Sequence, residues 1–501
     1  MKYILSTDLG TSAIKTALFD ETGKLVAASN HEYPLITPSA LVVELEVETY
    51  WNAFKDGVRD VMAESGIDPS TIAALGISAQ GETLIVVDKA GKPLRNAIVW
   101  MDSRAQEEGE YLNDRFKDSD IYGITGQVSI VPTWPASKIL WLRRHEEKTF
   151  KNAWKYLLIE DYFIYRMTGQ LAAEGALLCS TTYWDIKKKT YWKEMLAEIG
   201  ISEDQLPAIK EPGDPVGPVL PAIARELGLS EKTIVCMGLL DQAAGAIGVG
   251  NVAPGVFSEC TGSALAIVAT VDHPIKDKKN RMPCHYHGIR DTYMAHTFTT
   301  GGMVMKWFRD KFCESELAVG SLSGLDPYEV MGMEAAKAPL GSDGLVMLPH
   351  LQGAMAPEND PKAKGVFFGI TLAHTRAHFI RSIMESIAFL LQRNIEVVEE
   401  MGIVVTEIRS LGGGSRSDLW NQIKADVTGK PVVLTESMEQ ACLGAAVVAG
   451  AGIGLFKNLQ DASRSMVKIR KRFEPNPENH VRYAEYYRKY VKLYEALKPV
   501  F

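Results

Sequence analysis

Apolar positions in the first 26 residues fall into two short runs. Tyr3, Ile4 and Leu5 make the first; Ile14, Leu18 and Phe19, interleaved with Thr16, make the second, and Gly10, Thr11 and Ser12 lie between them. Runs rich in β-branched and aromatic residues on either side of a small-residue turn predict a β-hairpin. About 250 residues later the pattern returns: "VFSECTGSALAIVAT", Val256 to Thr270, is again an apolar run, a Thr-Gly-Ser turn and a second run. Elsewhere the periodicity alternates. "AALGISAQGETLIVVD" reads as two strands around a turn, "YLLIEDYFIYRMTG" as an amphipathic helix closed by Gly169, and "AHFIRSIMESIAFLLQRNIEVVEEMG" as a long helix closed by Gly402. The chain is therefore expected to be α/β, with two lobes of similar design. Ile209 to Pro221, "IKEPGDPVGPVLP", is dense in Pro and Gly and is expected to be an irregular surface connector.

Composition narrows the function. At 501 residues the chain exceeds one core, so two or three domains are expected. A net charge of -8 leaves no basic surplus for a nucleic-acid or anionic-membrane partner, and small-molecule chemistry is the expectation. No run of about 18 apolar residues occurs and the N-terminus lacks a signal-peptide pattern, which places the protein in the cytoplasm by default. The six cysteines form no CxxC pair and read as reduced, buried thiols; "CHYHG" offers Cys284, His285 and His287 to a metal but has no second ligand cluster, and a strand end or loop is the simpler reading.

Three stretches carry candidate chemistry. In "STDLGTSAIK" the tip can gather N–H groups and hydroxyls around an anion with Lys15 nearby, and Asp8 is either part of that site or a turn residue bonding its own backbone. In "IVCMGLLDQAAGAIGVG" a strand from Ile234 to Leu240 ends at Asp241, where a carboxylate serves as a helix N-cap or as a base for an attacking alcohol. In "IRSLGGGSRSDLW" a strand runs into Gly412 to Gly414, and a helix opens with Ser417 and Asp418 near its start, a floor on which a flat ring can lie. Neither the G-x-x-x-x-G-K-[ST] loop nor the G-x-G-x-x-G fingerprint occurs.

Taken in order, "DLGTSAIK", "PLRNAIVWMDSRA", "WPASKILWLRRH", "GLLDQAAGAIGVG", "TGSALAI", "TTGGMVMKWFRD", "ENDPKAKGVFFGITLAHTRAHFIRSIMESIAF" and "LGGGSRSDLWNQIKADVTGKPV" resemble the FGGY family of carbohydrate kinases over nearly the whole chain. The resemblance implies two actin-like, ribonuclease H-like lobes, about 1–245 and 246–501, with ATP and Mg²⁺ in the cleft and phosphoryl transfer to a sugar hydroxyl. It assigns Asp8 to the metal side, Thr11 and Lys15 to a first phosphate loop, Asp241 to the catalytic base and the metal, Thr261 and Gly262 to a second phosphate loop, Gly302 to the phosphates, and Gly413, Gly414 and Ser417 to the adenosine site.

Around the acceptor the resemblance gathers Gln80, Glu82, Asp102, Asp241 and Gln242, carboxylates and amides that suit a neutral polyol. Glu82 matches the glutamate of the Arg-Glu pair of glycerol kinase-like members while Gly81 stands in place of its arginine; "NDPKAKGVFFGITLAHTRAH" is most like the xylulokinase side. The expected acceptor is a ketopentose such as D-xylulose, ahead of glycerol, erythritol or gluconate, with an actin-like ATPase lacking an acceptor as the rival class. Arg104 is expected to pair with Asp102 or a surface acid rather than with a ligand. A homodimer is left open.

Overall fold

A computed structural model describes the whole chain, residues 1–501. In the first lobe β1 (Tyr3–Leu9) turns back antiparallel into β2 (Ala13–Asp20), which pairs antiparallel with β3 (Leu25–Glu32). Helix α1 (Val47–Ser65) then crosses over, and β4 (Ile72–Ala79) lies parallel to β1 on its other side. β5 (Leu84–Val87), which follows β4 after a short turn, joins a separate five-stranded sheet, so the two strands read from "AALGISAQGETLIVVD" do not pair with each other. Outside β4 come β7 (Ile234–Cys236) and the edge strand β6 (Pro215–Pro218), while β8 (Leu239–Leu240) pairs with the end of β4. β6 corrects the expectation for Ile209–Pro221: its prolines sit on an edge, antiparallel to β7, where missing N–H groups cost no ladder bond.

The second lobe repeats the plan. β9 (Val256–Thr261) and β10 (Ala264–Val271) form the second hairpin, β11 (Cys284–Tyr286) and β12 (Tyr293–Thr300) extend it, and β13 (Glu407–Leu411) and β14 (Val432–Thr435) follow in parallel beyond β9, with β15 (Ile469–Phe473) at the edge. In both sheets a hairpin is followed by a third antiparallel strand on one side and two parallel strands on the other. The echo between the two hairpin tips is thus an echo of whole sheets.

Helix α2 (Ile159–Thr168) begins three residues later than the pattern of "YLLIEDYFIYRMTG" suggests, because Lys155–Leu158 is a strand and the Asp161 carboxylate accepts the Leu158 N–H at 2.8 Å to open the helix. The expected continuous strand Ile234–Leu240 is interrupted at Met237 and Gly238, where the Gly238 N–H leaves the sheet for the Glu160 carboxylate at 2.8 Å. Cys284–Tyr286 is strand; His285 and His287 are buried, and burial holds both well below the usual imidazole range. No cluster of three or more His, Cys, Asp or Glu side chains suits a metal, and no helix is long and apolar enough to cross a membrane.

A cut at 245 separates the strands of the two main sheets, yet the cores interlock. Helices α3 (Asp241–Gly248) and α7 (Gln440–Gly452) cross in contact, and Cys442, Leu443 and Ala445 to Ala449 of α7 are buried in the core of the first lobe. Only glycine permits this crossing. A Cβ on Gly444 would stand 1.8 Å from the Ala244 carbonyl oxygen, and one on Gly248 would stand 1.9 Å from that of Gln440.

Candidate active site

The tip of the first hairpin, the start of α3, the glycine turn after β13 and the start of α7 close around a cavity of about 180 Å³. Asp8, Lys15, Asp241, Gln242, Cys260, Gly412 and Glu439 line it. Asp8 is the last residue but one of β1, and Ser78 Oγ on the adjacent β4 donates to its Oδ1 at 2.6 Å. Its carboxylate is therefore held toward the cavity by a neighbouring strand, and the reading of Asp8 as a turn residue bonding its own backbone falls away. Burial raises its pKa, opposed by Ser78 and Lys15. Lys15, directly across the hairpin from Asp8, reaches Glu439 at 3.0 Å. Glu439 carries no signal in the sequence that would single it out; only the fold brings it to Lys15.

Asp241 is the first residue of α3, and the N-cap position belongs to Leu240, which makes no side-chain cap bond. The N-cap reading of Asp241 is thus corrected: Asp241 stands one residue inside the helix. Burial pushes its pKa up to about 7, with Asp8 and Glu82 adding to the rise and Gln242 opposing it. A carboxyl that holds its proton to a higher pH folded than unfolded opposes folding as pH rises. The cost begins near the unfolded value, 3.8, and is complete above about 7. Asp241→Asn is accordingly expected to be more thermostable than wild type at pH 8, with the gain shrinking toward pH 4, as differential scanning calorimetry of the ligand-free protein would show. A variant equally stable or less stable at pH 8 would contradict the raised pKa of this carboxyl.

Two of the acceptor candidates, Gln80 and Glu82, follow β4, whose last residue pairs with Leu240 just before Asp241. Gln80 continues from β4, its Nε2 donating to the Gly10 carbonyl at 3.1 Å, which leaves its Oε1 buried without a partner. Glu82 is buried in the turn before β5; burial raises its pKa, and Ser180 and Lys138 oppose the rise. Lys138 is fully buried and donates to the Val99 and Trp100 carbonyls at 2.9 and 3.1 Å; burial pushes its pKa down to about 7. Asp102 differs from the expectation of a ligand contact. It is fully buried and its two oxygens accept from the Val43 N–H, the Arg104 N–H and the Arg104 guanidinium at 2.6–3.1 Å, so it orients the segment and offers no free lone pair. Arg104 also binds Glu44 at 2.7 Å and stacks on Trp141, as expected for a structural cation. Trp100, unremarked by sequence reasoning, donates its indole N–H to Thr11 Oγ1 at 2.8 Å and so ties the first loop to the acceptor side.

The second loop follows Cys260, which lines the same cavity as Asp8 and Lys15. Gly302 N donates to the Gly262 carbonyl at 2.8 Å, and a Cβ on Gly302 would lie 2.5 Å from that oxygen. A Cβ on Gly414 would lie 2.6 Å from Thr261 Cγ2, whereas above Gly413 there is open space. Ser417 caps helix α6 (Asp418–Thr428), its Oγ accepting from Trp420 N at 3.3 Å. The Thr261 hydroxyl donates to Glu259 at 2.6 Å and accepts from Lys424 at 2.9 Å, so its proton is committed within the protein.

Two lobes built on one plan thus meet at a cavity with Asp8 and Asp241 on one side and Gly412, the start of the glycine turn, on the other. Family models for the FGGY carbohydrate kinases match this architecture, the N-terminal domain over residues 3–248 and the C-terminal domain over 262–453. The chain belongs to the FGGY family of carbohydrate kinases. It is 31% identical over 499 residues to the xylulose kinase of Bacillus subtilis, with 99% of this chain and 98% of that one covered, and 28% identical over 500 residues to the gluconokinase of the same species, covering 100% and 94%. Among solved structures it superposes on ligand-bound xylulose kinase and on gluconate kinase, both from Lactobacillus acidophilus, each at a TM-score of 0.89 and 28% identity over 99% of this chain and 99% and 98% of theirs. This FGGY kinase is a sugar phosphotransferase, and the two-lobed actin-like fold expected from the resemblance is the one observed.

Proposed function

We propose that this kinase transfers the γ-phosphoryl group of ATP to a primary hydroxyl of a small neutral sugar, a ketopentose such as D-xylulose. The observation that carries the mechanism is Asp241: a carboxyl opening a helix into the inter-lobe cavity, unspent on capping and raised to about 7, where a general base works best at neutral pH. As the acceptor oxygen attacks phosphorus, its proton passes to Asp241, the bond from γ-phosphorus to the bridging oxygen breaks, and ADP leaves with the electron pair. The Gly262 turn, Thr11 and Lys15 face the phosphates, and Gly413, Gly414 and Ser417 form the adenosine side.

The donor set fits Mg²⁺. Asp8 and Asp241 share one cavity with a single lysine that Glu439 already pairs, so the site carries surplus negative charge and hard oxygen ligands. When bound, Mg²⁺ would offset the charge of the phosphates, held by Asp8 and Asp241 directly or through water.

The cations around the acceptor candidates bear on the acceptor class. Arg104 is spent on Asp102 and Glu44, and Lys138 turns its ammonium to two backbone carbonyls. A substrate carboxylate would meet Glu82 without a free cation. At about 4 Å and an effective dielectric of about 20 the repulsion is roughly 4 kcal/mol, or several hundredfold in affinity. This favours the substrate named for the xylulose kinase relatives over that of the gluconokinases. A side-by-side panel at equal concentration should rank ketopentoses above glycerol and tetritols, with gluconate last; gluconate as best acceptor would overturn the neutral-pocket reading. Glu82→Gln should lower sugar kcat/KM roughly 10- to 100-fold, the worth of a hydrogen bond to a charged group, while leaving the KM for ATP nearly unchanged. Equal effects on both substrates would remove Glu82 from the acceptor site.

The kcat/KM for sugar should fall about tenfold per unit as pH drops below the Asp241 pKa, about 7 in the metal-free site and lower with Mg²⁺ bound, since only ionised Asp241 accepts the proton. An acid limb that persists unchanged in Glu82→Gln but vanishes in residual Asp241→Asn activity would assign it; a flat profile from pH 5 to 8 would contradict the base.

A further inference from the structure

Behind the second phosphate turn lies an ion pair that the chemistry does not call for. Glu259 and Lys424 are both fully buried, with Lys424 Nζ 2.6 Å from Glu259 Oε1. Together they grip one side chain: Thr261 Oγ1 donates to Glu259 Oε2 at 2.6 Å and accepts from Lys424 Nζ at 2.9 Å. A hydroxyl has one proton, so this geometry leaves the Thr261 side chain no rotational freedom. Glu259 lies on β9, opposite Ser410 of β13, whose hydroxyl also donates to it. Beyond Ser410 the chain enters the glycine turn, and Lys424 stands on α6, the helix that Ser417 opens. Asn421 of the same helix donates to the Ser415 carbonyl at 2.8 Å and pins that turn from behind.

One charge pair therefore joins the phosphate turn at the end of β9 to the helix that carries the adenosine-side turn. Buried ion pairs add little stability over an apolar pair of equal size, because desolvation offsets the attraction; what they contribute is a single geometry. We propose that Glu259 and Lys424 are positioning residues for the nucleotide: they fix Thr261, and with it the Gly262 turn, against the Gly413–Ser417 turn before ATP arrives. A pre-ordered site avoids the ordering cost on binding, and that saving appears as affinity. The inference rests on the cleft being the ATP site, as proposed above.

The test is the double variant Glu259→Leu/Lys424→Met, which removes both charges at similar volume. Replacing one partner alone would leave a buried charge unpaired and risk the fold, whereas the double change leaves only the Thr261 and Ser410 hydroxyls without their acceptor and should fold. With Thr261 released, the KM for ATP and the calorimetric Kd for ADP should rise about tenfold, while the KM for sugar stays within about twofold. A purely structural pair would move the melting temperature and leave this split absent. If the double variant fails to fold, Glu259→Gln/Lys424→Met, which leaves no charge unpaired and keeps an acceptor for Thr261, should show the same split to a smaller degree. Wild-type-like nucleotide affinity in either folded variant overturns the proposal. If wild-type protein bound neither ATP nor ADP, the reading of the cleft would fall and the positioning role with it.

Discussion

Asp241→Ala is expected to bind nucleotide within a few-fold of wild type and to turn over about 10²–10⁴-fold more slowly. The loss is large because the carboxylate is the proton acceptor and shares with Asp8 the negative face of the cavity. Affinity should survive because the adenosine floor and both glycine turns lie on other elements. Asp241→Asn keeps the shape but neither accepts the proton nor carries the charge, so it should be as slow as alanine. Steady-state kinetics with isothermal titration of ADP checks both. Wild-type-like turnover in either folded variant would remove Asp241 from the reaction.

Gly444→Val is expected to be the most damaging substitution away from the reacting atoms. The first Cβ atom alone would lie 1.8 Å from the Ala244 carbonyl oxygen, backbone that cannot step aside without separating α3 from α7. The cost should exceed the 1–3 kcal/mol, or about that, of ordinary overpacking. Since α3 carries Asp241 and α7 begins at the Glu439 that holds Lys15, activity should fall with stability. Thermal unfolding and kinetics on the soluble fraction measure this; a variant with wild-type melting and turnover would contradict the close crossing.

What the sequence disclosed and what it withheld divide by range. The two hairpins, the long helix ending at Gly402 and the helix starting at Asp241 rest on local periodicity and small-residue turns, so they were legible in the linear pattern. The family motifs located Asp8 and Asp241, which share one cavity, and Glu82, whose charge acts on Asp241. Contacts between distant segments were not legible. Lys15 with Glu439 spans 424 residues, Lys424 with Glu259 spans 165, and Trp100 with Thr11 spans 89; no local feature predicts such partners. The edge strand Pro215–Pro218 was hidden for another reason, since proline argues against strand except where no ladder bond is needed. Asp102 misled because residue type suggested a ligand while its oxygens were already taken by Val43 and Arg104.

The central claim is that phosphoryl transfer in this cleft requires a neutral sugar. The most direct measurement is ADP release at fixed ATP and Mg²⁺, with and without D-xylulose, with the phosphorylated product counted in parallel. Slow ADP release alone, strong stimulation by the sugar and one sugar phosphate formed per ADP are the expected results. Rapid ADP release indifferent to any sugar, with no sugar phosphate formed, would contradict it.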